Sequence, residues 1–334
     1  MKRIVKYVLA AAMLVLAATS CNESSRKKAL LPNISGKAGE VIVVINKSDW
    51  EGALGTELRD FMSAECPFLP QKEPLYTLVD VVPTTFTNLF KVHRNIILFN
   101  VSPNVTNPGI SYLKDQWAAP QCVVNVNAPD SATATELIHK DKFKIMAWIE
   151  QAERDRVIAN TTKFGEVAVS KAVADNFGGS FLVPSGFSIK KKTKDFYWIS
   201  YETTYIQQGF FIYRFPASGK DDLTKENLVS ARNAVLKENV PGMFENTYMT
   251  TSTFAEPSLE YLKFKGREFA NMRGFWEVEN DYMGGPFVSH SFYSPDAKYI
   301  YVVEAYVYAP KYDKRHYLRQ VESLLYSFQW NEAE

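Results

Sequence analysis

Cysteine, histidine and the usual catalytic signatures are scarce in this chain of 334 residues. It contains three cysteines and four histidines, and no second His or Cys stands near any of the histidines at metal-ligand spacing. G-x-S-x-G, H-E-x-x-H, a phosphate-binding loop and a G-x-G-x-x-G turn before a helix are all absent. The sequence therefore predicts no metal and no other cofactor, and it shows no direct sign of catalysis.

A strong charge of either sign is also lacking. The chain has 38 basic and 37 acidic residues, which leaves a net charge of +1. Proteins that bind nucleic acid need a basic surface to neutralise phosphates, so we expect no nucleic-acid partner. The apolar fraction of 46% is typical of a folded globular protein, and the length predicts two domains.

The first 21 residues carry the clearest positive pattern. Lys2, Arg3 and Lys6 precede a 12-residue apolar run, Tyr7–Ala18, and small residues then lead to Cys21. Such a run is too short to span a bilayer, which needs ~20 apolar residues. Together these features are typical of a secretory signal with its cleavage site.

The position of Cys21 resembles the lipobox of bacterial lipoproteins, in which the cysteine thiol is acylated and begins the mature chain. We therefore predict a lipoprotein signal peptide over residues 1–20 and lipidation at Cys21. Residues 21–39 are mostly polar and contain proline and glycine, which predicts a flexible tether between the lipid and the folded part.

Cys66 and Cys122 are the two remaining cysteines. In an oxidising compartment an even pair permits a disulfide. We favour the alternative of two separate buried thiols, because free cysteine is among the most buried residue types.

The pattern of apolar residues predicts an α+β protein of two mixed α/β layer domains. Residues 40–180 show strands and helices in the order β-α-β-β-α-β-α, with one helix over 50–64 and another over 110–117. Residues 181–330 contain crowded strands followed by helices, which predicts a largely antiparallel sheet with flanking helices. We place the boundary near residues 179–184.

The segments around Glu73 and around His93-Arg94 each stand at the entrance of a predicted strand. If these strands pair, the three side chains offer an acid, a base and an anion clamp, as a hydrolase requires. The alternative is a proline-rich turn and an ion pair at the end of a strand.

A second candidate segment runs from Arg273 to Phe287 and contains Trp276, Glu277, Gly284 and Gly285. An aromatic floor with a carboxylate rim suits a sugar or a peptide. The alternative is two strands joined by a tight turn, since Gly-Gly-Pro is foremost a turn signal.

Glu304 lies in a strand whose alternate residues are apolar, which predicts a buried carboxylate. An unpaired buried charge is very costly, so Glu304 needs a cationic partner. We expect at least one of Arg273, Arg315 and Arg319 to contact it.

Five segments resemble an uncharacterised envelope-lipoprotein family of Bacteroidota. They are the lipobox and the motifs GEVIVVINKSDWEGALG, LPQKEP with HRNIILF, RGFWEVENDYMGGPF and YAPKYDKRHYLRQVE. The resemblance covers nearly the whole mature chain and implies a location in the cell envelope but no activity. Surface-exported relatives carry an acidic cluster after the cysteine, whereas here Arg26-Lys27-Lys28 follows, which favours the periplasmic face.

The leading hypothesis is therefore a lipid-anchored, non-catalytic envelope protein that binds a ligand or partner. Its expected partners are the membrane, through acylated Cys21, and an unknown protein or glycan. The alternatives are an envelope hydrolase that uses carboxylates and His93, and a glycan-binding protein that uses Trp276.

Overall fold

The computed structural model describes residues 31–219 and 221–331, so the predicted signal peptide and Cys21 lie outside the described residues. The chain divides into two compact units. Unit 1 comprises residues up to 64 and residues 76–152, and unit 2 comprises residues 65–75 and those from 153 onward. The division falls inside a helix, and the predicted boundary near residues 179–184 lies within unit 2.

A five-stranded mixed sheet forms unit 1, in the order β2-β1-β3-β5-β4. Its strands are β1 (Glu40–Val44), β2 (Thr77–Val81), β3 (Asn95–Val101), β4 (Gly109–Lys114) and β5 (Cys122–Ala128). The first three strands and β5 pair in parallel, and only β4 is antiparallel to its neighbour. Parallel sheets are covered on both faces, which explains why β1 is a continuous run of buried β-branched residues.

The helices that begin in unit 1 are α1 (Lys47–Glu51), α2 (Ala53–Met62), α3 (Asn88–Lys91) and α4 (Ser131–Phe164). The single helix predicted over residues 50–64 is divided at Gly52, whose backbone is extended with φ −89° and ψ −165°. Helix α4 continues past residue 152, so its last part belongs to unit 2.

The prediction of a helix over residues 110–117 is wrong, because this segment forms β4. Ile110 pairs with Val126 and Tyr112 pairs with Val124 in the antiparallel register. The Tyr112 ring packs edge-on against Trp148 at 5.6 Å. β-Branched and aromatic residues favour a strand where one face can pack against a helix.

The described end of the predicted tether is part of the fold. Ser35 accepts a hydrogen bond from the backbone N–H of Arg94 at 3.0 Å and donates its own to Val92 O at 2.9 Å. Ala119 N donates to Pro32 O at 3.0 Å. The prediction of a flexible tether is therefore wrong for residues 32–35, which are hydrogen-bonded to unit 1.

An eight-stranded antiparallel sheet forms the centre of unit 2, in the order β10-β12-β13-β14-β9-β8-β7, with β11 also paired to β12. Its strands are β7 (Ser188–Lys192), β8 (Phe196–Glu202), β9 (Gln207–Pro216), β10 (Met249–Thr251), β11 (Ser258–Phe264), β12 (Arg267–Val278), β13 (Gly284–Tyr293) and β14 (Tyr299–Tyr308). A small second sheet pairs β6 (Gly179–Ser180) with β15 (Gln329–Trp330). β11 is a strand that the sequence did not predict.

Helices cover both faces of this large sheet. They are α5 (Val167–Phe177), α6 (Lys225–Asn239) and α7 (Arg315–Leu325). Leu228 and Leu236 of α6 pack with Val302 on one face, which we call the α6 face. Phe177 of α5 and Leu318 of α7 pack with the residues that point the other way, on what we call the α7 face.

The α+β prediction is confirmed, including the antiparallel sheet with flanking helices in the second half. Helix α5 ends at Gly178, whose φ of +70° is the left-handed conformation that the Gly-Gly sequence predicts for a helix stop.

Candidate functional site

Glu73 caps the N-terminus of α7. Its carboxylate accepts hydrogen bonds from the backbone N–H of Lys314 at 2.7 Å and from that of Arg315 at 2.9 Å. The first N–H groups of a helix have no partner within the helix, and the helix dipole favours negative charge at this end. Glu73 therefore has a structural task, although it lies 241 residues from Lys314 along the chain.

Arg315 and Arg319 hold residues 65–75 against α7. Arg315 donates to Pro74 O, and Arg319 Nη2 donates to Leu75 O at 3.0 Å. These contacts, with the Glu73 cap, explain why an excursion from the first half of the chain belongs to unit 2. The prediction that Arg315 or Arg319 is the partner of Glu304 is wrong, because the cation that pairs with Glu304 is Arg232.

His93 and Arg94 lie in unit 1 and contact groups of that unit. His93 is 8% exposed, and its Nε2 atom lies 3.5 Å from Glu40 Oε2. Arg94 Nη1 donates to Gly36 O at 3.5 Å. Gly36, at φ +90°, lies so close to the His93 ring that a Cβ atom would overlap it. The contacts of His93 and Arg94 are thus those of a packed strand entrance.

Trp276 is inside the core rather than on a surface. It is 1% exposed, and its Nε1 donates to Val307 O at 3.2 Å. Gly285 is its cross-strand neighbour, and a Cβ atom there would lie 2.1 Å from Val307 O. Glu277, opposite Gly284, accepts a hydrogen bond from Ser252 Oγ at 2.6 Å. The aromatic floor expected for a sugar is therefore not formed by Trp276.

Glu304 is fully buried, as predicted, but its partner is Arg232. Two hydrogen bonds join them, from Arg232 Nε at 2.9 Å and from Nη2 at 2.8 Å. Arg232 Nη1 donates to Thr251 Oγ1 at 2.8 Å, and its guanidinium lies 3.9 Å from the Phe287 ring centre. Burial raises the pKa of the Glu304 carboxyl, and Arg232 opposes that shift.

The sequence contained a signal for Arg232 that the prediction missed. In α6, Leu228, Arg232 and Leu236 follow one another at intervals of four residues and are all buried. An arginine in the middle of an apolar helix stripe indicates a buried partner.

Arg273 pairs with Glu322 of α7 and not with Glu304. Cys66 lies near Arg273 and Arg319, yet burial raises the pKa of its thiol more than the two arginines lower it. A reactive cysteine needs a lowered pKa, because the thiolate is the nucleophile. No disulfide joins Cys66 and Cys122.

A groove of about 350 Å³ opens between the end of α4, the β11–β12 turn and the end of α7, entirely within unit 2. It is lined by Ile158, Thr162, Leu182, Phe264, Lys265, Arg267, Tyr326, Ser327, Phe328 and Gln329. The lining contains both apolar and polar side chains, and both charged residues of this described lining are cations. None of the predicted site residues that the structure describes lines the groove.

Arg267 joins the groove to the C-terminal end of α7. It donates to Phe328 O at 2.5 Å and to Leu325 O at 3.3 Å, where a helix end favours a cation. Its guanidinium also lies 5.2 Å from the centre of the Phe328 ring. Burial lowers the pKa of Arg267 to about 10, so it remains charged at neutral pH.

Behind the groove lies a buried polar pair, His290 and Asn271, which are directly opposite each other on β13 and β12. His290 is 0% exposed and Asn271 is 4% exposed. Neither ring nitrogen of His290 has a hydrogen-bond partner, and neither has the Asn271 Oδ1 atom. Burial and the charges of Arg267, Arg273 and Arg154 hold the pKa of His290 well below its ordinary value of 6.5, so its ring is neutral.

Tyr326 forms the wall between the groove and this polar pair. Its ring lines the groove and lies 4.6 Å from the His290 ring, nearly perpendicular to it. Arg154 lies over the same ring at 3.6 Å, and Phe264 touches it at 5.0 Å. A positive field, an apolar wall and unsatisfied hydrogen-bonding groups thus meet within one region, an arrangement that can bind a small molecule with an anionic group.

The part of the chain that the structure describes holds no group of three or more His, Cys, Asp or Glu side chains arranged to bind a metal ion. Among the described helices, none combines the length and the apolar composition required to cross a bilayer.

Two family models match the chain. Residues 34–162 match a domain of unknown function (DUF8532), and residues 166–327 match another domain of unknown function (DUF4837). The chain thus resembles uncharacterised domains along most of its length, and the two matches meet near the end of α4. No curated protein matches the chain.

One similar solved structure is the lipid transfer and protein localization domain of human StarD13 (DLC2). It is 11% identical, covers 48% of this chain and 92% of its own length, and gives a TM-score of 0.19. At this TM-score the likeness carries no argument about fold or ligand.

Proposed function

We propose that this protein is a lipid-anchored, non-catalytic envelope protein that binds a small anionic and mostly apolar molecule in the groove of unit 2. The groove carries the binding part of this proposal. Its apolar wall includes Ile158, Leu182 and Phe264, while Lys265 and Arg267 supply positive charge. Its volume lies at the lower end of the range for small-molecule sites.

The alternatives have less support. A hydrolase requires its acid and base to converge on a substrate, but Glu73 is occupied as a helix cap, and Glu277 accepts a hydrogen bond from Ser252. A glycan-binding protein that uses Trp276 requires an exposed ring, and this ring is 1% exposed.

Binding is tested with three probes of equal chain length, namely decanoate, decanol and decyltrimethylammonium, each below its micelle concentration. In calorimetric titrations of the mature protein we expect decanoate to bind most tightly, because only its head group complements the two cations. A cationic probe that binds as well as decanoate contradicts the proposal.

Lys265 offers a matched pair of variants. Lys265→Gln removes a groove cation and should weaken decanoate binding by about two- to fivefold, the worth of an exposed ion pair. Lys263→Gln is the control, because Lys263 lies on the same hairpin but pairs with Glu268 and does not line the groove. Equal effects of both substitutions would show that the groove is not the site.

The anchor rests on the pattern of residues 2–21, and we place the protein on the periplasmic face of the envelope. Cells that express the full chain are grown with labelled palmitate. The wild type should take up the label and sediment with membranes, whereas Cys21→Ser should do neither. A wild-type chain without label contradicts the lipid anchor but does not affect the proposal that the groove binds a ligand.

A further inference from the structure

We propose that the groove has an inner subsite at His290 and Asn271, and that this subsite takes a hydroxyl group at the far end of the anionic ligand. This inference rests on the proposed groove function and names the class of ligand, an anionic molecule with an apolar body and a hydroxyl. The basis of the inference is that this polar pair, which has unpartnered atoms, lies directly behind Tyr326, and that Tyr326 itself lines the groove.

Buried polar atoms of His290 and Asn271 lack hydrogen-bond partners. Buried polar groups in proteins are nearly always hydrogen-bonded, and an exception requires an explanation such as a ligand or water. Here three atoms of two adjacent residues, Nδ1 and Nε2 of His290 and Oδ1 of Asn271, have no partner. They lie side by side on neighbouring strands, so a single guest group can reach both residues.

The chemistry of these atoms selects the guest. A neutral imidazole has one N–H donor and one acceptor nitrogen, and an amide oxygen is an acceptor. A single hydroxyl can accept from the imidazole N–H of His290 and donate to Asn271 Oδ1, so it supplies one hydrogen bond to each residue. A second carboxylate can only accept and would leave the two acceptor atoms unsatisfied.

The surroundings explain why the subsite stays shut in the absence of a guest. Phe269 lies 4.1 Å from the His290 ring, and the Tyr326 ring closes the side toward the groove. Tyr326 is partly exposed and sits near the end of α7. Displacement of this one ring from its contacts with Arg154 and Phe264 joins the groove to the polar pair.

Lys265 and Arg267 attract the anionic end of the ligand, which lies opposite its hydroxyl. Lys265 stands in the β11–β12 turn at the groove mouth, where its side chain is exposed. An anionic head held there leaves the apolar body along Phe264 and Leu182, and the hydroxyl then points inward. The subsite thus adds a selectivity that charge alone does not supply.

The test compares hexanoate, octanoate and decanoate with their ω-hydroxy counterparts, by titration into the mature protein. We expect at least one ω-hydroxy acid to bind about five- to tenfold more tightly than its parent, the effect of one hydrogen bond gained at a site that otherwise leaves polar groups unpaired. The series covers several lengths because the span from Lys265 to His290 selects one of them.

Variants assign this preference to the subsite. His290→Leu should abolish the preference for the hydroxyl while the parent acid still binds, and Asn271→Ala should reduce it even if the first variant folds poorly. Ser289→Ala is the matched control, because Ser289 is the buried neighbour of His290 on β13, faces the α6 face and also lacks a partner. It should leave the preference unchanged.

The outcomes separate the two proposals. Equal affinities of each hydroxy acid and its parent in the wild type overturn the inner subsite but leave the groove function standing. A preference that persists in both His290→Leu and Asn271→Ala also overturns the subsite. If no member of either series binds, the groove function fails, and the inner subsite fails with it.

Discussion

Two buried polar pairs lie on opposite faces of the same sheet, and they differ in how their hydrogen bonds are satisfied. Arg232 and Glu304 on the α6 face form two hydrogen bonds to each other and a further one to Thr251. His290 and Asn271 on the α7 face leave three polar atoms without a partner. The first pair forms its hydrogen bonds within the fold, whereas the second pair still lacks hydrogen bonds that a guest group can supply.

The difference follows from what packs on each face. Helix α6 brings an arginine to the middle of its apolar stripe, directly over Glu304. Helix α7 brings Tyr326 over His290, and an aromatic ring edge cannot replace a hydrogen bond to imidazole. Burial alone therefore does not distinguish a structural polar group from a candidate site, but the state of its hydrogen bonds does.

The largest expected effect concerns the complete pair. Glu304→Ala should lower the free energy of unfolding by ~3–5 kcal/mol, because it leaves the Arg232 charge buried without a counter-ion. Urea denaturation measures this change, and Glu245→Ala on an exposed loop serves as the control. The double change Arg232→Met with Glu304→Leu should recover much of the loss. A Glu304→Ala variant as stable as the wild type would show that the Arg232–Glu304 pair does not stabilise the fold, and the contrast with the His290–Asn271 pair would then fail.

In the incomplete pair, His290 and Asn271, replacement of the histidine should increase the stability of the fold. His290→Leu should raise the free energy of unfolding by ~1–2 kcal/mol, since a buried polar group without a partner carries a desolvation penalty of this size. The same urea experiment without any ligand measures it. A destabilised His290→Leu variant would indicate that the histidine already has a partner, such as a bound water.

The pH dependence of stability sharpens the comparison further. The folded pKa of His290 lies well below 6.5, so only the unfolded chain binds a proton there as the pH falls through 6.5. The wild type should therefore lose up to ~1.4 kcal/mol per pH unit below that value relative to His290→Leu, and no difference in slope should remain at higher pH. Parallel stability curves of the two proteins from pH 5 to 8 would contradict this account.

The smallest expected effect concerns Glu73, a buried carboxylate that is satisfied by backbone donors and not by a single cation. Glu73→Ala should cost ~1 kcal/mol, the usual loss for a helix cap. Glu65→Ala is the matched control in the same segment, because its pairing with Lys72 is exposed. Thermal unfolding compares the two. A loss as large as that of Glu304→Ala would show that Glu73 carries more than the cap.

The predictable parts of the fold are those with strong local patterns. β3, β12 and β14 are of this kind, because runs of β-branched and aromatic residues need a pleated, buried surface. The segment at residues 110–117 is not, since its short apolar pattern suits either a helix or a strand and only pairing with β5 decides between them.

The candidate site was far less predictable. Lys265, Arg267 and Tyr326 come from the β11–β12 turn and from the end of α7, and no local pattern relates them. Glu73 and α7 illustrate the same difficulty, because the contact joins positions 241 residues apart. The sequence instead indicated a site in the aromatic and acidic motif at residues 273–287, but Trp276 of that motif is buried in the core.

The sequence by itself determined the α+β class and the burial of Glu304, because each depends on composition or on a period along the chain. The secretory signal at residues 2–21 stays a prediction. Only the tertiary structure decided that Arg232 completes Glu304 while His290 is left without a partner. The physical reason is that hydrogen bonding depends on which helix packs on which face of the sheet, and that choice is made by the whole core rather than by the strand that carries the polar group.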